Sequence, residues 1–106
     1  MKQESPMIDQ RFLFEQSQRL CMDLLHTDID VGYAFLRLAA TEYDRGAVEH
    51  AAELVGKASD AHQSVLEHLS GLPVGMERQR RETEHDAQEL LKAITAALAG
   101  LRSTRP

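Results

Sequence analysis

The stretch GYAFLRLAATEYDRGAVEHAAELVGKASDAHQSVLEHL, from Gly32 to Leu69, reads as two helices joined at one glycine, Gly46. Its second half carries an apolar stripe, Val48, Ala51, Val55, Ala58, His62, Val65 and Leu69, whose members recur at steps of three and four. That period keeps them on one face of an α-helix. Glu49, Glu53, Asp60 and Glu67 line up on the opposite face and stay in water. The first half is different. Ile29, Val31, Tyr33, Phe35, Leu36, Leu38, Ala39, Ala40 and Tyr43 leave it apolar nearly all round, the mark of a buried central helix.

Working outward, Ser5-Pro6 supplies an N-cap and a proline for the first helical position, and Asp9 follows in the first turn. The spacing predicts a helix over about 6–26. Thr27-Asp28-Ile29-Asp30 then offers a cap oxygen and two carboxylates before an apolar run, a helix-start signal. A second helix is predicted over about 28–45, and a third over about 47–70. Gly71-Leu72-Pro73-Val74-Gly75 is the clear loop. A fourth helix is predicted over about 76–101, with Thr83, Ala87, Leu90, Leu91, Ile94, Ala97, Leu98 and Leu101 as its stripe. Its polar first half holds pairs four apart, such as Glu77/Arg81 and Arg80/Glu84, that support a solvated helix. Short connections make successive helices antiparallel. The expected fold is therefore all-α: a four-helix antiparallel up-down bundle. Residues 6–102 form a single helical domain, and 1–5 and 103–106 are flexible ends.

The totals fit that class. A chain of 106 residues is one domain's worth, with 42% hydrophobic residues and only 5% aromatic. Net charge is −5, and all of the excess acid falls before residue 71. An acidic body does not neutralise phosphates, so no nucleic-acid partner is expected. No apolar run reaches the ~20 residues of a membrane span, and MKQESPMIDQ has no apolar signal segment. The single Cys21 has no internal partner, as in a reducing compartment. A cytoplasmic protein is expected.

Phe35, the Leu38-Ala39 pair, Gly46 and the run Ala51, Val55 and Ala58 give residues 32–65 a resemblance to a single tetratricopeptide repeat, a 34-residue helix-turn-helix unit. Two positions depart from the pattern: Glu42 stands where a tyrosine is usual, with Tyr43 one place on, and Gln63 where a proline is usual. The resemblance implies a non-enzymatic protein–protein interaction module. On the family's pattern the partner-binding face takes in Tyr33, Leu36, Arg37, Ala40, Tyr43 and Asp44. The other occupant of that face is the first predicted helix. The second predicted helix also carries more apolar surface than two neighbours cover, which favours a homodimer.

The alternative function is a metal-binding four-helix bundle. Five histidines are present, and in an antiparallel bundle His26, His62, His68, Glu82 and His85 gather at one end. Asp23-x-x-His26 and Glu82-x-x-His85 have the i, i+3 spacing of di-iron bundles. Against it, His85 lies about 200° from the stripe of its helix, and His62 alone falls on a core face. Histidine phosphotransfer bundles carry Lys and Gly three and four places after the reactive histidine. Val65 and Leu66 follow His62, and Gly71 and Leu72 follow His68. Cys21, between Leu20 and Met22, has no basic neighbour to activate it. No strand precedes a glycine-rich loop, so nucleotide fingerprints are missing. Neither catalytic residues nor cofactors are expected.

Overall fold

The computed structural model describes the backbone from Pro6 to Ser103 and the side chains from Gln10 to Ser103. The flexible ends expected at 1–5 and 103–106 lie outside the described residues, apart from Ser103. Three helices run up, down and up: α1 (Pro6–Asp44), α2 (Val48–Ser70) and α3 (Glu77–Arg102). No strand occurs among the described residues. The chain is all-α, but the four-helix bundle is not what forms.

The two helices expected over 6–26 and 28–45 are one helix of 39 residues. The break expected at Thr27-Asp28 is overruled by packing. Leu25 and Ile29 lie one turn apart and are both buried in one apolar cluster with Val65, Leu69 and Met76. Only an unbroken helix holds an i, i+4 pair on one face in this way. Asp28, read as a helix-start residue, turns its carboxylate to α2 instead. Ser64 Oγ and His68 Nδ1 each donate to Asp28 Oδ2 at 2.9 Å. With no helix folded back over it, the second half of α1 is not a buried central helix, and Val31, Leu38 and Tyr43 are exposed.

The α1–α2 corner follows from one glycine. Gly46 has φ +86°, a left-handed conformation that glycine adopts without a Cβ clash. Around it Ala47 N–H donates to Glu42 O, and Gly46 N–H to Tyr43 O, each at 2.9 Å. These are the two bonds of a Schellman helix end. Gly46→Ala should destabilise the fold by about 1–2 kcal/mol, read from urea unfolding. The site is open, with nothing near an added Cβ, so backbone strain is the whole effect.

α2 packs on the face its stripe predicts, with Val48 and His62 only half-buried. Ala51, Val55, Ala58, Val65 and Leu69 are buried, joined by Leu54 and Ala61. The line Glu49, Glu53, Asp60 and Glu67 is exposed. On α3, Thr83, Ala87, Leu90 and Ile94 are buried, whereas Leu91 and Leu98 face out because no fourth helix is present to cover them. The loop between α2 and α3 is tied down from both sides. Leu72 and Met76 are buried in the core, and the Arg80 guanidinium donates to Leu69 O at 2.7 Å and to Leu72 O at 3.4 Å. That side chain adds a donor to Leu69 O, which also accepts from Leu72 N–H at 3.2 Å, and so ties α3 to the end of α2 and its loop.

The helices differ in length, and this sets the shape. At 1.5 Å per residue α1 is about 58 Å long and α2 about 34 Å. The molecule measures 76 × 23 × 14 Å. The end of α2 reaches α1 near Cys21 and Leu25. The part of α1 before that is bare: from Gln10 to Leu20 every residue but Gln18 is exposed.

Candidate functional site

At the other end of the molecule the last turns of α1 and α3 and the first turns of α2 leave an open groove of about 300 Å³. Its floor is Ala39, Ala51 and Val55, and its walls are Leu36, Ala40 and Tyr43 on α1 and Ala97, Gly100 and Leu101 on α3. The opening has a residue-level cause. Ala39 and Ala51 are small and buried, so the α1 and α2 backbones approach closely. Across from them α3 presents Ala97 and Gly100, side chains too small to fill the remaining space. Asp44 and Ser103 stand at the rim.

Of the six residues expected on a partner-binding face, four line this groove: Leu36, Ala40, Tyr43 and Asp44. Tyr43 is 37% exposed. Tyr33 does not line it; it is half-buried and packs against both core clusters. Arg37 is exposed outside it. The expected rival for the face, a separate first helix, is ruled out by the continuity of α1. The neighbour that does reach it is α3. Ala97, Gly100 and Leu101 were not anticipated at this site. The three-and-four spacing Ala97–Leu101 gives the face they share, but not which helix it meets.

The C-terminal ends of α1 and α3 both lie here, and helix C-termini carry partial negative charge. No basic residue falls in the last turn of α1, where Asp44 adds a full charge, whereas Arg102 in the last turn of α3 offsets that helix end. Glu42, two residues before Asp44, is engaged elsewhere: Arg45 Nη1 lies 3.2 Å from one oxygen and His50 Nδ1 3.0 Å from the other. The hydrogen bond from His50, with the charge of Arg45, holds the Glu42 carboxyl below the usual carboxylate range. A lowered carboxyl pKa contributes stability above the ordinary value near 4.5, and the contribution disappears as pH falls through the lowered one. NMR titration should show Glu42 moving back toward the ordinary value in His50→Ala, with the acid limb of unfolding shifted to higher pH.

The residues of the metal alternative do not converge. His68 is held by Asp28, His62 is half-buried, and His26, Glu82 and His85 are exposed. Among the described residues no three His, Cys, Asp or Glu side chains are grouped to hold a metal ion. No described helix is long and apolar enough to cross a membrane. No protein-family model matches the chain, and no curated protein or solved structure is detectably similar to it.

Proposed function

We propose that this chain is a non-enzymatic helical protein-interaction module that seats an apolar, basic-flanked peptide segment in the α1–α2–α3 groove. The observation that carries this reading is the opening itself. Leu36, Ala40 and Tyr43 face Ala97, Gly100 and Leu101 across a space of about 300 Å³, at the small end of the range of ligand pockets. The walls are apolar, and a half-exposed tyrosine pairs an apolar body with a polar tip. Asp44 and the α1 C-terminus, whose last turn holds no basic residue, favour a Lys or Arg beside the apolar anchor on the α1 side. The tetratricopeptide-like spacing of residues 32–65 supports the same face. A reducing, cytoplasmic setting is the reading that the single Cys21 supports.

The test is selection of short random peptides on the immobilised wild-type chain, then binding to Leu36→Asp and Tyr43→Asp variants whose helicity is intact. Selected peptides should carry an apolar residue next to Lys or Arg. Each variant should bind them at least about 10-fold more weakly, the ~1.4 kcal/mol of one lost apolar contact. Peptides that bind both variants as tightly as wild type would remove the groove from consideration.

A further inference from the structure

The groove at the ends of α1 and α3 offers a ligand backbone very little to bond to. Within the helices main-chain groups are bonded along each helix, and no strand edge occurs among the described residues. Of the lining residues, only Tyr43, Asp44 and Ser103 have polar side chains. The Ser103 hydroxyl already donates to Gly100 O at 2.8 Å. The turn after α1 is closed as well, with Gly46 and Ala47 N–H on the carbonyls of Tyr43 and Glu42 at 2.9 Å. The Tyr43 hydroxyl and the Asp44 carboxylate are the lining side-chain groups that remain.

An extended segment laid in this groove would bury N–H and C=O groups with nothing to receive them. Each such group weakens binding by about 10-fold or more. A helix bonds its own main chain and escapes that penalty. The walls also have a helical period. Leu36, Ala40 and Tyr43 follow at steps of four and three on α1, and Ala97 and Leu101 lie four apart on α3. Such rows take the i, i+3 and i+4 side chains of another helix between them. Ala40, Ala97 and Gly100 are small, so its backbone can come close. A Cβ at Gly100 would meet nothing within the chain, so the space there is open to an occupant.

We infer that the groove seats a short amphipathic helix of a partner protein, with the N-terminal end of that helix at the Asp44 rim, an assignment that rests on the groove being the binding site. α1 and α3 both end at this rim. A helix antiparallel to them brings its partially positive N-terminus to Asp44 and to the end of α1, whose last turn holds no basic residue. Turned round, it would set a third partially negative end against them, and Arg102 offsets the α3 end alone. Leu36 to Asp44 rises about 12 Å, or about two turns. A helix that short is marginal in water, so it forms as it docks.

Two libraries of capped peptides of about 14 residues separate the possibilities, each with Arg first in an Ala/Gln frame. One places Leu, Ile, Met or Phe at i, i+3, i+4 and i+7, the helical period, and the other at i, i+2, i+4 and i+6, the strand period. Binding to the wild-type chain is read by fluorescence anisotropy. Members of the first library should bind and become helical in the complex by isotope-edited NMR. A central proline should weaken them by about 100-fold, and Leu36→Asp or Tyr43→Asp by at least about 10-fold. A nitroxide at the peptide N-terminus should broaden the Asp44 amide most, and one at the C-terminus the Leu36 amide. Strand-period peptides that bind as tightly and are released by both variants would overturn the helix and leave the groove standing. Peptides indifferent to both variants would remove the groove, and this inference with it. No binding by the first library at about 1 mM, tolerance of the central proline, or the reverse labelling pattern would overturn it. So would a wild-type dimer that Leu36→Asp dissociates, which would put a second copy in the groove. The proline and label readouts lie on the peptide and stand even if the aspartate variants fold poorly.

Discussion

Leu90→Ala should destabilise the protein by about 3–5 kcal/mol, the upper part of the range for a fully enclosed leucine. Leu90 has no solvent exposure and sits among Ala39, Leu54, Val55, Ala58 and Ile94. It is also where α3 meets α1. A Cβ built on Gly32 would lie 2.7 Å from Leu90 Cδ2 and 3.1 Å from Cδ1, so α1 has a glycine where the leucine needs the space. This couples the two positions. Gly32→Ala alone gains about 1 kcal/mol of helix propensity but overpacks a closed site, which costs about 1–3 kcal/mol, and should come out neutral to destabilising. On the Leu90→Ala background the clash is gone, and the same change should stabilise by about 1 kcal/mol. Urea unfolding of the four proteins, with an unchanged denaturant slope, gives the cycle. Additive effects would mean that the α1–α3 contact is not made at this pair.

Thr27→Pro should cost about 3 kcal/mol or more, though Thr27 is exposed. The magnitude comes from backbone alone. Within a continuous helix a proline at 27 removes the N–H bond to the carbonyl of Asp23 and clashes with that carbonyl. If a helix began at Thr27-Asp28 instead, a proline there would sit in a first turn and be tolerated. The same substitution therefore separates one helix from two. It should also lower helicity before residue 27. Thermal unfolding by circular dichroism reads both effects.

Which features could be read from the residues, and which could not, divides along local and tertiary lines. The α2 stripe, the Gly46 corner and the Gly71–Gly75 loop rest on local chemistry: a period, a left-handed glycine, a proline between glycines. All three are where the spacing puts them. Thr27-Asp28-Ile29-Asp30 misleads because Thr and Asp serve a cap or a helix interior equally well. The deciding fact, that Asp28 accepts from Ser64 and His68, joins residues 36 and 40 positions apart. Four of the groove's α1 residues could be named from repeat-like spacing. Its α3 wall could not, because a helix count of four assigned α3 a different neighbour. The histidines do lie toward one end, since Leu25, next to His26, packs with Leu69 and Ala87, but His26, Glu82 and His85 face solvent, and direction on a helix decides whether ligands meet.

From Met7 to Val31 α1 has neither glycine nor proline, so it transmits rotation as well as length. Inserting one residue near Thr27 would advance the distal tip by about 1.5 Å but swing it through about 100°, turning Leu13 and Leu20 out of phase with Val31 and Leu38. Inserting seven would move the tip about 10 Å and leave the phase within about 20°. Length and phase along α1 are therefore separable only in steps of a heptad.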